Sequence, residues 1–218
     1  MTIERIERRS HNRRTVRNDG DAELSPRVRA MVAALNGEVE MLRRDLELAR
    51  TRLALAEQAA DQDQLLPILN RRAFMRALTW HIAAAARYGT PASLLYCDLD
   101  GFKRINDAHG HAGGDAVLAH VAKILRANVR ESDVVGRIGG DEFGILLAHA
   151  NAEQATNKAQ ALAGALATQM AEWNGTLIAV SFSFGAFELA AGENAEAALM
   201  RADEAMYAQK RARPSAAE

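Results

Sequence analysis

The chain has 218 residues, 49% hydrophobic and 25% charged, with a formal net charge of −1. That length fits one domain with an extension, and the near-neutral balance excludes a global field drawing the chain to nucleic acid or to an anionic membrane. The single cysteine, Cys97, excludes an intrachain disulfide and fits a reducing cytoplasm, and with no run of about 18 apolar residues no membrane span is expected.

Residues 1–24 carry Arg5, Arg8, Arg9, Arg13, Arg14 and Arg17 with no apolar stretch behind them, so they read as a disordered Arg-rich arm rather than a signal peptide. Ser25-Pro26 is a helix start, because serine caps and proline suits the first helical position. From there Val28, Val32, Leu35, Val39, Leu42, Leu46, Ala49, Leu53, Ala56 and Ala60 recur at steps of four and three, the seam of a coiled coil. Glu40 with Arg44, and Arg43 with Glu47, stand four apart beside it. A lone helix would leave this stripe bare, so residues 25–62 are expected to form a parallel homodimer. An unidentified protein partner on the coiled coil is the further expectation. Pro67 predicts a helix end near Leu65 or Leu66.

Asn70 caps a second predicted helix over 71–87, with Phe74, Leu78 and Ile82 as its apolar stripe. Gly89-Thr90-Pro91 is a turn, and Ala92 to Leu99 reads as a buried strand ending in Asp98-Leu99-Asp100. Two carboxylates there are costly unless solvated or bound to a cation. A helix is predicted over 115–129, with Leu118, Val121 and Leu125 facing inward. A hairpin follows over 133–148, turning through Gly139-Gly140-Asp141, where glycine is expected to supply a positive φ. Helix over 151–172, strand over 176–187 and helix over 195–211 complete the order. Antiparallel pairing with helices crossing one face implies an α+β fold.

The hairpin turn places two adjacent carboxylates, Asp141 and Glu142, beside backbone with no side chain to block a ligand. Glycine lets a phosphate reach peptide N–H groups, and a neighbouring carboxylate holds the accompanying divalent cation. Four separated segments resemble the GGDEF-domain diguanylate cyclases. They are Asp98-Leu99-Asp100-Gly101-Phe102-Lys103-Arg104-Ile105-Asn106-Asp107; Gly110-His111 with Gly114-Asp115; Arg137-Ile138-Gly139-Gly140-Asp141-Glu142-Phe143; and Asp203 with Met206-Tyr207 and Lys210. The resemblance covers a domain at 63–213, followed by a tail at 214–218.

This resemblance implies a nucleotidyl-cyclase-like, ferredoxin-like antiparallel sheet flanked by helices, preceded by the long coiled-coil helix. It implies condensation of two GTP molecules into cyclic di-GMP with loss of two pyrophosphates, using Mg²⁺ or Mn²⁺. By resemblance, Asp98 and Asp141 are the metal carboxylates, with the Leu99 carbonyl as a further ligand, and Asp141 or Glu142 assists deprotonation. Asn106 and Asp115 read guanine, Lys103 and Lys210 offset triphosphate charge, and Gly101, Phe102, Gly139 and Gly140 give the phosphates backbone. Arg130-Glu131-Ser132-Asp133 matches an inhibitory RxxD site, in which Arg130 and Asp133 bind product.

Two departures stand out. Pro67 takes the place of the usual glycine before the Asn-Arg-Arg segment, and an arginine expected after Lys210 is displaced to Arg213. The expectation is a dimeric, product-inhibited cyclase. Its rivals are a catalytically silent cyclic di-GMP effector and a coiled-coil scaffold, and the intact Asp98, Asp141 and Glu142 argue against the effector.

Overall fold

The structure, a computed structural model, describes residues 25–212. The arm expected over 1–24, the tail over 214–218 and Arg213 lie outside the described residues. The chain divides into two compact units between Leu55 and Ala56.

Helix α1 (Pro26–Asp61) opens as its first residues dictate. The Ser25 hydroxyl accepts from the Val28 N–H at 3.4 Å, and its carbonyl accepts from Arg29 at 3.0 Å. Along the seam Val28, Val32, Leu35, Val39, Leu42, Leu46 and Leu53 are exposed. The ion pairs differ from expectation: Arg43 binds Glu40 at 2.9 Å and Arg50 binds Glu47 at 3.0 Å, each three residues apart. On a helix surface both spacings are within reach, and such pairs contribute only about 0.2–0.5 kcal/mol.

The helix also stops short of Leu65, at Asp61. The Asp63 carboxylate accepts from the Leu65 and Leu66 N–H groups, both at 3.0 Å, offering the backbone a turn in place of another helical one. The Asn70 amide donates to the Ala60 and Gln62 carbonyls at 2.7 and 3.1 Å, satisfying acceptors the helix leaves open. Asp61 pairs with Arg72 and Arg76, and the Arg76 hydrogen bond holds its carboxyl below the usual range. Helix α2 (Arg71–Tyr88) then starts on Asn70, whose side-chain oxygen accepts from Ala73 at 3.0 Å, and ends on left-handed Gly89.

Strand β1 (Ala92–Leu99) leads into α3 (Phe102–Ala127), the hairpin β2 (Val134–Arg137) and β3 (Glu142–Ala148), and α4 (Ala152–Thr168). A small hairpin, β4 (Ala171–Trp173) and β5 (Thr176–Ile178), precedes β6 (Phe182–Glu188) and α5 (Ala195–Ala212). The main sheet has the order β2-β3-β1-β6, every neighbour antiparallel. β1 and β2 flank β3, and β3 and β6 flank β1. These are the two interleaved split βαβ units of a ferredoxin-like sheet.

Helices cover both faces rather than one. Leu95, Cys97 and Leu99 of β1 pack with α3 and α4, while Leu94 and Tyr96 pack with α2 and α5. A run as apolar as Leu94–Cys97 needs cover on both sides. Each such side chain contributes about 1.5–3 kcal/mol when removed from water.

Three further boundaries differ from those predicted. α3 begins at Phe102, ahead of Asp115, and is interrupted at Gly110, where φ is 72° and ψ 171°. The helix over 151–172 stops at Thr168, because 171–178 turns back on itself through Asn174 and Gly175, with φ of 50° and 76°. Asn-Gly adopts the left-handed pair that a two-residue hairpin requires. For the same reason the strand region over 176–187 is two strands, β5 and β6.

Candidate active site

The β2–β3 hairpin turns at Gly139-Gly140-Asp141, with Arg137 opposite Phe143 in register and Ile138 donating to the Glu142 carbonyl at 2.8 Å. Neither turn glycine has a positive φ. Their reason is space. A methyl group at Gly139 would lie 1.9 Å from Glu142 Oε2, whereas one at Gly140 would meet nothing within 4 Å. The first glycine makes room for a carboxylate, and the second leaves an open backbone ledge. Arg137 locks the turn from behind. Its Nε donates to the Gly139 and Gly140 carbonyls at 3.1 Å each, its Nη2 to Gly140 at 2.7 Å, and its Nη1 pairs with Asp63 at 3.2 Å. Arg137 stands in the motif read from sequence, but this clasp and its Asp63 partner are tertiary and left no signal in local pattern.

Because β1 lies beside β3, Asp98 is opposite Glu142, and the Leu99 N–H donates to the Asp141 carbonyl at 3.2 Å. Asp98 and Asp141 therefore meet at one end of the sheet. Burial, and then the neighbouring Asp98 charge, push the Asp141 carboxyl above its usual value. Lys210, delivered by α5, donates to Asp98, and that hydrogen bond raises its own pKa. α5 can come so close because β6 has Gly185, where a methyl group would lie 2.4 Å from the Ala202 carbonyl oxygen. Gln209, one residue before Lys210, accepts from the Phe184 N–H at 2.9 Å.

The other carboxylate of the strand end has a different fate. Asp100 accepts from the Ser181 and Ser183 hydroxyls at 2.9 and 2.7 Å, tying the end of β1 to β6. Glu142 faces Tyr96, whose hydroxyl is pushed up by burial and by that carboxylate. Among the described residues no group of three or more His, Cys, Asp or Glu side chains stands ready to hold a metal. A two-carboxylate site of this kind suits Mg²⁺, which keeps waters and takes substrate phosphate oxygens as its remaining ligands. The raised Asp141 fits that demand for a counter-charge.

Beyond β1, Gly101 has φ 69° and starts α3, its carbonyl accepting from Arg104 at 2.9 Å. The first N–H groups of α3, at Phe102 and Lys103, lie at a helix N-terminus that favours anions. Lys103 is exposed and Asn106 half-buried. A methyl group at Gly114 would lie 1.9 Å from Asn106 Oδ1, so Asn106 rests directly on the backbone beside Asp115. The break at Gly110 is what brings these two parts of α3 together. Arg130 and Asp133 stand in a separate turn before β2. Asp133 accepts from the Arg130 N–H at 2.9 Å and from the Ala148 N–H at 3.1 Å, leaving the Arg130 side chain exposed.

Residues 60–215 match the family described as diguanylate cyclase, GGDEF domain. The diguanylate cyclase DosC of Escherichia coli (strain K12) is 41% identical over 150 residues, which is 68% of this chain and 33% of that protein. The chain thus spans about a third of the length of curated relatives it matches. Among solved structures, that of the coiled coil and GGDEF domain of DgcB from Caulobacter crescentus, in complex with c-di-GMP, superposes with a TM-score of 0.67 at 30% identity, covering 84% of this chain and 94% of that one. The diguanylate cyclase SiaD from Pseudomonas aeruginosa, in complex with its activator SiaC, superposes with a TM-score of 0.73 at 28% identity, covering 85% of this chain and 71% of that one. With the hairpin turn, the paired carboxylates and the interrupted helix all in place, this chain belongs to the GGDEF-domain family of diguanylate cyclases.

Proposed function

We propose that the protein is a diguanylate cyclase that condenses two GTP molecules into cyclic di-GMP as a homodimer, with one nucleotide held by each protomer. The observation that carries this reading is the meeting of Asp98 and Asp141 beside the open backbone of Gly140. In each half-reaction a 3′-hydroxyl attacks the α-phosphorus of the other nucleotide. A P–O bond forms, the bond to pyrophosphate breaks, and the hydroxyl proton leaves to a base; two such steps close the ring.

Asp98, Asp141 and the Leu99 carbonyl would hold Mg²⁺ or Mn²⁺, which when bound supplies charge neutralisation at the phosphates and eases ionisation of the hydroxyl. Asp141 or Glu142 takes the proton, and Gly139 keeps the Glu142 carboxylate folded against the turn. The N–H groups at Gly101 and Phe102, with the ledge at Gly139 and Gly140, receive phosphate oxygens, and Lys103 and Lys210 offset their charge. Asn106 and Asp115 bind the guanine edge, an amide and a carboxylate matching its acceptor and donor groups.

The exposed seam of α1 supports pairing with a second copy in parallel, which raises the effective concentration of one domain near the other. The same helix offers an upstream protein partner its point of action. Arg130 and Asp133 form the inhibitory site for product, since an exposed guanidinium binds phosphate or guanine in a forked geometry. GTP as substrate and a buried, unpaired Cys97 favour the cytoplasm as its place of work.

Purified protein incubated with GTP and Mg²⁺, with products resolved by chromatography, tests the reading. We expect cyclic di-GMP from the wild type, none from Asp141→Ala, and continued accumulation from Arg130→Ala after the wild type has stalled. Tight cyclic di-GMP binding with no product from any of them would replace it with the effector reading.

A further inference from the structure

The interruption of α3 sets a mechanical problem. Residues 102–109 and 111–127 form two helical arms, and at Gly110 the backbone leaves helical geometry. Across such a break the ladder of backbone hydrogen bonds no longer fixes the angle between the arms. Yet Asn106 sits on the first arm and Asp115 on the second, and both must face one planar base at hydrogen-bond distance. Side-chain packing at the junction has to set the angle.

The β4–β5 hairpin lies against this junction. A methyl group at Gly113 would lie 3.3 Å from both Cδ1 and Nε1 of the Trp173 indole, and 2.5 Å from His109 Cβ. Trp173 thus packs where the end of the first arm meets the start of the second. One residue further on, Gly114 carries Asn106 and Phe102 in the same way, with a methyl group there 1.9 Å from Asn106 Oδ1 and 3.1 Å from Phe102 Cζ. The hairpin is itself well anchored: Ala171 and Ile178 are buried in the core shared with α3 and α4. The His120 imidazole Nε2 lies 2.8 Å from the Gln169 carbonyl, a hydrogen bond that ties the second arm to the chain just before β4. The Asn174-Gly175 turn then reverses the chain directly after Trp173.

We propose that Trp173 is a positioning residue for base selection, holding the angle between the two arms of α3 so that Asn106 and Asp115 address one guanine together. It acts through the arms and does not itself contact the reacting atoms. This rests on the guanine reading of Asn106 and Asp115, and the test separates the two.

Binding of 3′-deoxy-GTP and 3′-deoxy-ITP to the full chain with Mg²⁺ is measured by calorimetry. Neither probe has the attacking hydroxyl, and the inosine base lacks only the 2-amino group. Trp173→Ala is expected to lower the preference for the guanine probe about tenfold, because a site built to hydrogen-bond a group loses discrimination when its donors and acceptors shift. Trp173→Phe, which restores an aromatic ring at the junction, should recover most of that preference, whereas generalised loosening of the fold would weaken both probes equally. Asp115→Ala, which removes the carboxylate that accepts from the 2-amino group, serves as the reference. If Asp115→Ala loses the preference and Trp173→Ala keeps it, the role assigned to Trp173 falls. If both keep it, the guanine reading falls. Should Trp173→Ala not fold, emission from Trp173 in a Trp80→Phe chain, which removes the other of the two tryptophans, decides the matter. A change on adding 3′-deoxy-GTP that 3′-deoxy-ATP does not produce supports the proposal, and no change with either overturns it.

Discussion

The two glycines of the turn have different tasks, and single methyl groups should separate them. Gly139→Ala drives a methyl group into Glu142 Oε2, so the carboxylate must move. We expect a loss on the order of 10²-fold in kcat, the scale of a displaced acid–base group, with little change in Tm. Gly140→Ala meets no protein atom within 4 Å. It should fold as the wild type does, and any fall in GTP affinity then reports that the ledge belongs to the nucleotide. Equal Tm and equal GTP affinity in Gly140→Ala would show that the ledge is not used. Both residues were legible in sequence as the motif that matters. Their reason was not, since a positive φ was expected and a close carboxylate was found, and distance between side chains is not written in local pattern. Asp100 teaches the same lesson. Residue pattern gave it the same cost as Asp98, and only the family resemblance singled out Asp98; Ser181 and Ser183, far along the chain, hold Asp100 as a brace.

At the scale of elements, the contact between α5 and β6 is the most sensitive. Gly185→Ala places a methyl group 2.4 Å from the Ala202 carbonyl oxygen and 2.7 Å from the Met206 nitrogen, both backbone atoms that cannot rotate away. Overpacking of this kind costs about 1–3 kcal/mol. At about 2–8 °C per kcal/mol for domains of this size range, a clear fall in Tm should appear by calorimetry. Since α5 also carries Gln209 and Lys210, the same variant should weaken GTP binding beyond what its stability predicts. A Tm equal to the wild type would mean that α5 moves off the sheet without cost. Elements with strong local signals were predicted nearly to the residue: β1, the start of α2 at Asn70 and the start of α5 among them. The β4–β5 hairpin was missed although Asn174-Gly175 is a strong turn signal: the start of β4 was absorbed into the preceding helix, whose alanine-rich run kept a helical period going, and β5 was merged with β6 into one strand.

For the whole molecule, the decisive feature is the bare seam of α1, from Val28 to Leu53, on a helix that finds no cover among the described residues of its own unit. Leu42→Glu with Leu46→Glu puts like charges into the seam of both copies. We expect the variant to sediment as a monomer at micromolar concentration. Its cyclase activity should fall steeply on dilution, because an intramolecular encounter at an effective concentration in the millimolar range becomes a bimolecular one. Full activity from a demonstrated monomer would remove dimerisation from the mechanism.

What the sequence by itself determined is local and periodic. Heptad spacing, the caps at Ser25 and Asn70, the buried run of β1 and the four motif segments all depend on neighbours a few residues apart. The tertiary structure alone decided that Asp100 is tied to β6, that Lys210 reaches Asp98, that Arg137 clasps the turn with Asp63, and that Trp173 packs at the break in a helix. Each of these joins residues brought together only by strand order and helix docking. Their energies depend on distances that chain connectivity does not constrain until the sheet has closed.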